Sequence, residues 1–154
     1  MASKIIISDT SCLIALSRIN KLEILQKLFT TIITTPEVKA EFGAPLPAWV
    51  TISEVKDLDR KLELETLLDK GEASSIALAL EVPQSILIID EKKGRKIARS
   101  LNIQIIGTLK ILMLARQKGE IDDLSSVIKE LEQKNFRFSR NIIARMLNDP
   151  KNLT

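Results

Sequence analysis

Ser85-Ile86-Leu87-Ile88-Ile89-Asp90-Glu91 is the stretch that decides the fold. Four large apolar residues in a row, closed abruptly by two carboxylates, read as a central parallel strand buried on both faces. In open α/β sheets ligands bind beyond the carboxyl ends of the strands, so Asp90 is a site candidate and the other acids are located relative to it. Before it, Gly71-Glu72 precedes a helix over residues 73–80 that is small and apolar on nearly every side, which predicts an interior or interfacial position. After it, a helix over 92–101 buries Ile97, Ala98 and Leu101. Within residues 90–99 five cations (Lys92, Lys93, Arg95, Lys96, Arg99) face two acids, Asp90 and Glu91. Basic side chains beside carboxylates suit a polyanionic substrate, although each cation singly is equally read as part of a solvated helix face.

The same strand-then-acid pattern opens the chain. Residues 4–8 read as a β-branched strand, and Asp9-Thr10-Ser11 follows as a stop before a helix over 12–17. Two roles remain open for Asp9, a helix cap and a metal ligand. Residues 21–29 carry Leu22, Leu25, Leu28 and Phe29 at helical spacing, and Thr31-Ile32-Ile33-Thr34 gives a second strand. Thr35-Pro36 opens a helix with Glu37 and Glu41 four apart, of which Glu37 reads as solvated. Residues 50–53 alternate like an edge strand. Residues 57–69 form a charged amphipathic helix with Leu58, Leu62, Leu64, Leu67 and Leu68 as its apolar side. Glu72, in a helix's first turn, is either a dipole partner or a site residue. Residues 103–106 read as a further strand. The helix over 109–117 has almost no polar face, so it is buried or it dimerises; helices over 121–134 and 139–147 follow, joined through Phe136-Arg137-Phe138, and the tail 148–154 looks frayed. Strand and helix alternate throughout, which predicts one domain over 1–154: a three-layer α/β/α sandwich around a short parallel sheet.

Composition narrows the chemistry. The chain has 154 residues, 45% of them hydrophobic and 28% charged, with 23 Lys and Arg against 20 Asp and Glu, a formal charge of +3. There is no histidine and a single cysteine, Cys12, so His-dependent triads, His or Cys zinc sites and disulfides are excluded together. A metal must then be held by oxygen, which favours Mg²⁺ or Mn²⁺. No run approaches the roughly 18 apolar residues of a membrane span, and the expected location is the cytoplasm. No Walker A loop or dinucleotide fingerprint occurs.

Taken in order, Ile5-Ile6-Ile7-Ser8-Asp9-Thr10-Ser11, Thr35-Pro36-Glu37-Val38-Lys39-Ala40-Glu41, Gly71-Glu72-Ala73, Ile89-Asp90-Glu91 with Gly94-Arg95-Lys96-Ile97-Ala98, Gly107-Thr108-Leu109 and Asn135-Phe136-Arg137-Phe138-Ser139 resemble the PIN-domain family, most of all its prokaryotic PIN-like branch. That resemblance implies an α/β sandwich whose acids bind Mg²⁺ or Mn²⁺ and cut RNA, in many members as a toxin restrained by an antitoxin protein. It implies Asp9, Glu41, Glu72 and Asp90 as the metal-binding, catalytic acids, with Glu72 standing where many relatives carry aspartate. Lys92, Arg95 and Lys96 are then phosphate contacts, and Thr10 and Ser11 orient water or substrate. Against this metal-dependent endoribonuclease stand a non-catalytic dimerising or RNA-binding module of the same fold and a receiver-like phosphoacceptor. The last needs a second carboxylate on the first strand, where Asp9-Thr10-Ser11 offers one. A homodimer is also expected, from the apolar surfaces of 73–80 and 109–115.

Overall fold

A computed structural model describes residues 5–147; the start of the first expected strand at Lys4 and the tail 148–154 lie outside those residues. Five strands form one all-parallel sheet in the order β3-β2-β1-β4-β5: β1 (Ile5–Ser8), β2 (Thr31–Thr34), β3 (Val50–Ile52), β4 (Ser85–Ile88) and β5 (Ile105–Ile106). From β1 the chain builds outward to β2 and β3, then returns to lay β4 against the other edge of β1. The order therefore reverses between β1 and β4, and that is where a doubly wound sheet opens a crevice.

The period-two alternation of the strands sorts the core into two layers. Ile6, Ile32, Ile86 and Ile88 point to one face, under α1 (Thr10–Arg18), α2 (Ile24–Leu28), α7 (Thr108–Gln117) and α8 (Leu124–Gln133). Ile7, Leu87 and Ile89 point to the other, under α4 (Leu58–Glu65), α5 (Lys70–Glu81) and α6 (Lys92–Ser100). The expected three-layer sandwich is what forms. In register, Ile6 of β1 lies between Ile32 and Ile86, and Ser8 pairs with Ile88. The Asp9 N–H donates to the Ile88 carbonyl at 3.1 Å, carrying the β1–β4 ladder one residue past the strand. α3 (Pro36–Phe42) starts at the end of β2, capped by the Thr35 hydroxyl on the Val38 N–H, and closes on Gly43 at φ +74°. α9 (Arg140–Leu147) ends the described chain.

The structure amends several expected elements. The helix over 21–29 shortens to α2, because Leu22 packs in a turn before it, and the strand over 103–106 shortens to β5. The charged helix over 57–69 ends at Glu65. Of its five leucines only Leu64 is buried; Leu58, Leu62 and Leu67 are 57%, 58% and 51% exposed. Helix α7 resolves the other way: Leu109, Ile111, Leu112, Met113 and Ala115 are all buried within the chain, as are residues 73–79 of α5. Leu80 apart, the apolar residues from which a dimer was argued are thus largely taken up by the protein's own core.

Candidate active site

Two carboxylates flank the crevice between β1 and β4. Asp9 caps α1, its Oδ1 accepting from the Cys12 N–H at 3.1 Å, and it is only 2% exposed. Of the two roles left open by the sequence the cap is the one observed, and it fixes the carboxylate at the strand end. Burial pushes its carboxyl well above the usual aspartate range, and the neighbouring charges of Asp90 and Glu72 push the same way, partly offset by the backbone N–H groups of Cys12 and Asp90. Asp90 follows Ile89 out of β4. Its two oxygens are held by one residue: Oδ1 accepts from the Thr108 N–H at 2.8 Å and Oδ2 from the Thr108 hydroxyl. A Cβ on Gly107 would stand 3.1 Å from Asp90 Oδ1, so the glycine lets the start of α7 come this close.

The two glutamates arrive from the helices. Glu41, exposed near the end of α3, accepts from the Thr10 hydroxyl at the first turn of α1. Gly71 makes room for this pair, because a Cβ there would fall 2.0 Å from Glu41 Oε1 and 3.0 Å from Thr10 Oγ1. Glu72 is half-buried in the first turn of α5, with Oε2 only 3.3 Å from where a Gly94 Cβ would sit. Its carboxyl is pushed up to about 7 by burial first, then by the charge of Asp69 and a hydrogen bond its protonated form donates to that carboxylate, with Glu91 adding to the effect.

Asp69 is the site-bordering acid that the sequence reading passed over as the tail of a charged helix. It is in fact the N-cap of α5, accepting from the Glu72 N–H at 2.8 Å. Its signal was present: Asp69 and Glu72, three apart before an apolar run, have the spacing of a capping box. Glu91 is likewise a cap, its Oε2 accepting from the N–H groups of Lys93 and Gly94. Glu37, read as solvated, is instead ion-paired with Lys61 of α4.

The remaining expected contacts divide. Ser11 is exposed in the first turn of α1. Arg95 Nη1 donates to the Ile89 carbonyl at 2.7 Å, so its guanidinium braces the end of β4 beside Asp90; burial and the charge of Arg99 lower its pKa. Lys92 and Arg95 line a cleft of about 650 Å³ that opens at Asp90, while Lys96 is exposed on α6 and does not line it. The sequence reading missed the other side of this cleft: Lys110, Phe136, Arg137 and Phe138.

Residues 5–151 match the family model of the PIN domain. The chain belongs to the PIN domain family. No curated protein matches it significantly. PIN domains are nucleases in general and usually use divalent metals, so the acids must be tested against such an ion. In kind they fit: every donor is a hard oxygen, and Asp9 is a buried carboxyl with Asp90 and Glu72 near enough to raise it, a charge arrangement that a cation relieves. In position they stop short. Among the described residues no three acids are set around one point that could hold a metal. Glu41 is turned to Thr10, Glu72 to Asp69 and Asp90 to Thr108. These are contacts of side-chain ends, which rotamer changes can release without moving the sheet.

Proposed function

We propose that this PIN domain is a Mg²⁺- or Mn²⁺-dependent endoribonuclease, with Asp9 and Asp90 as the central metal-binding acids and Glu41 and Glu72 completing the set. The observation that carries the reading is the buried, unfavourably charged Asp9 beside Asp90 at the point where the strand order reverses, with a cationic cleft opening next to them. When bound, the cation supplies Lewis-acid activation of water and of the scissile phosphate, which a chain without histidine has no evident side chain to replace.

The chain's own residues do the rest. The α1 cap holds Asp9 at the strand end, and Thr108 holds Asp90 beside it until a rotamer change turns that carboxylate toward the cation. Thr10 and Glu41 stand together at the outer rim, where the hydroxyl can hand a hydrogen bond to water or to substrate as Glu41 turns toward the cation. Lys92, at the mouth of the cleft, offers positive charge to the phosphates flanking the cut. As part of the same proposal, the enzyme is a toxin held by an antitoxin protein and works as a homodimer in the cytoplasm. For either protein partner the most exposed apolar side chains are Leu58, Leu62 and Leu67, with Leu80 at the end of α5 less so. No helix among the described residues is long and apolar enough to cross a membrane.

The alternative, an RNA-binding module without catalysis, draws its support from the acids' existing hydrogen bonds, which leave none of them gathered around a common point. One experiment separates the two: purified protein with a pool of RNAs and Mn²⁺, alongside EDTA and the Asp90→Asn variant. Asparagine retains the carbonyl oxygen that accepts from the Thr108 N–H, so the fold should survive. Cleavage in Mn²⁺, abolished by EDTA and by Asp90→Asn, is expected. Cleavage undiminished in EDTA would overturn the mechanism, and RNA binding without any cleavage would favour the module.

A further inference from the structure

The cleft beside Asp90 is lined mainly by cations and aromatic or apolar side chains. α6 contributes Lys92, Arg95 and Arg99, the start of α7 contributes Lys110, and the connection between α8 and α9 contributes Arg137, against the single acid Asp90. Among the described residues Lys92, Arg99, Lys110 and Arg137 have no carboxylate partner, whereas Lys27, Lys61, Lys134 and Arg140 are each ion-paired. Cations gathered without counter-charges raise the local potential, and a concave surface focuses it. The field alone would suit any polyanion.

Two aromatic rings narrow the choice. Phe136 and Phe138 line the same cleft, with ring centroids 5.3 Å apart and planes tilted by 59°. They are two of the chain's five aromatic side chains, four Phe and one Trp. Both rings rest partly on the core without being swallowed by it. The segment that carries them is fixed in advance. The Phe136 N–H donates to the Leu131 carbonyl at 3.0 Å, Asn135 turns the chain at φ +69°, and Arg18 and Lys134 each donate from the side chain to the other's backbone carbonyl, at 2.9 and 2.7 Å. A platform held this way loses little entropy when a flat ligand settles on it. Aromatic faces interleaved with unpaired cations are the combination that binds unpaired nucleotides, by stacking the base and neutralising the phosphates. The volume, about 650 Å³, is that of a small-ligand pocket.

We propose that this cleft is a nucleotide subsite, which takes an unpaired base of an RNA strand against Phe136 and Phe138 and its flanking phosphates on Lys110, Arg137 and Arg99, with Lys92 leading the strand toward Asp90. The inference rests on the nuclease reading for its substrate but not for its chemistry. It makes an unpaired base on one side of the cut a requirement of binding, and it gives a role to the Asn135-Phe136-Arg137-Phe138-Ser139 segment that a linker alone would not have.

The test is fluorescence anisotropy in EDTA, where no cutting occurs, with a short oligouridylate, the same strand annealed to its complement, and an abasic oligomer of the same backbone. The single strand should bind about tenfold more tightly than the duplex or the abasic strand. Phe138→Leu, which keeps an apolar side chain against the core, should weaken the single strand by about fivefold or more with little change in salt dependence. Arg137→Ala and Lys110→Ala should each lower the salt slope by about 0.7. Equal binding of the abasic strand by the wild-type protein overturns the stacking site without recourse to any variant. So does wild-type affinity in a Phe138→Leu protein with an unchanged melting temperature, or a poly-glutamate peptide that outcompetes the oligouridylate, which would mark the cleft as a protein-docking surface. Failure here with cleavage intact leaves the nuclease standing, and base-dependent binding with no cleavage in Mn²⁺ leaves the subsite standing.

Discussion

The two clefts at the carboxyl edge of the sheet carry opposite charge. Beyond β2, a cleft of about 710 Å³ is lined by Glu37, Glu41, Glu65 and Asp69 with Lys70 as its cation. Beyond β4 and β5, the cleft of about 650 Å³ has five cations and Asp90. Asp9, on the central strand, lies between the two sides. The formal charge of +3 conceals this separation, which matters more than the total. A phosphate chain is attracted to one side and repelled by the other unless a cation intervenes, so substrate position and cation position are coupled through the boundary that Asp9 and Asp90 occupy. The unfavourable electrostatics sit at that boundary and beside the acidic cleft, in the raised carboxyls of Asp9 and of Glu72, which neighbours Asp69.

The largest expected difference between the sides is catalytic. Asp9→Asn should preserve the α1 cap, since asparagine is as good an N-cap as aspartate, and should raise metal-free stability by removing a buried carboxyl. Cleavage should fall by roughly a hundredfold or more, a barrier increase of about 3 kcal/mol. Lys92→Ala on the basic side should instead weaken RNA binding and lower its salt slope while leaving Mn²⁺ affinity unchanged. Single-turnover rates, calorimetric Mn²⁺ titration and melting curves on both proteins would check this. An Asp9→Asn enzyme that cuts at the wild-type rate would remove the central acid from the site.

How far the sequence could be read follows from the same contrast. β4 and Asp90 were legible because a doubly buried strand must be apolar along its length, and the acid that ends it marks the sheet's carboxyl edge. Asp9 was legible for the same reason. The apolar side over residues 57–69 was legible but not what covers it, because an apolar row does not say whether the chain itself or a partner does; Leu64 is buried, Leu68 packs partly on the core and the other three leucines are exposed. Arg95 reads as a phosphate contact, yet one of its nitrogens is committed to the Ile89 carbonyl, at a place where a Cβ on residue 107 would stand 3.0 Å from it. That approach of residue 107 to Arg95 and Asp90 leaves no local pattern in the sequence. The aromatic half of the basic cleft was hidden similarly, in a stretch that reads as a connection between two helices.

A pair of glycines sharpens the comparison at smaller scale. An added Cβ at Gly94 would stand 2.6 Å from Ile89 Cδ1, inside the core beneath β4. Gly94→Ala should therefore overpack and cost about 1–3 kcal/mol, lowering the melting temperature by several degrees. At Gly71 the nearest obstacle is the end of the exposed Glu41 side chain, which can swing away. Gly71→Ala should change stability by less than about 1 kcal/mol, helped by alanine's better helix propensity, while it displaces Glu41 from Thr10 and weakens Mn²⁺ binding. If Gly71→Ala destabilises as much as Gly94→Ala, Glu41 is held rigidly and serves the fold rather than a cation.

The smallest effect lies in the pH dependence of the acidic side. Glu72 titrates near 7 in the folded protein against 4.5 in an exposed glutamate, because partial burial and the Asp69 carboxylate both favour its protonated form, which also donates a hydrogen bond to Asp69. The folded state therefore binds a proton that the unfolded chain has already lost between those values. The stabilisation is full below about pH 4.5 and is lost as the pH rises to about 7. Water reaches the half-exposed carboxyl and screens it, so the change should be about 1 kcal/mol or less, a few degrees in melting temperature. Buried Asp9 contributes with the same sign, so the wild-type curve alone does not isolate Glu72. Glu72→Gln does, because glutamine stays neutral and keeps a donor for Asp69 at every pH. In metal-free buffer the melting temperature of Glu72→Gln relative to wild type should climb between pH 4.5 and 7 and then level off. Saturating Mn²⁺ should erase that advantage, since the cation stabilises the ionised wild-type carboxylate and gains less from the amide. Curves that run parallel across this range without metal would show that the Asp69–Glu72 pair does not share a proton, and would leave Asp9 as the raised carboxyl.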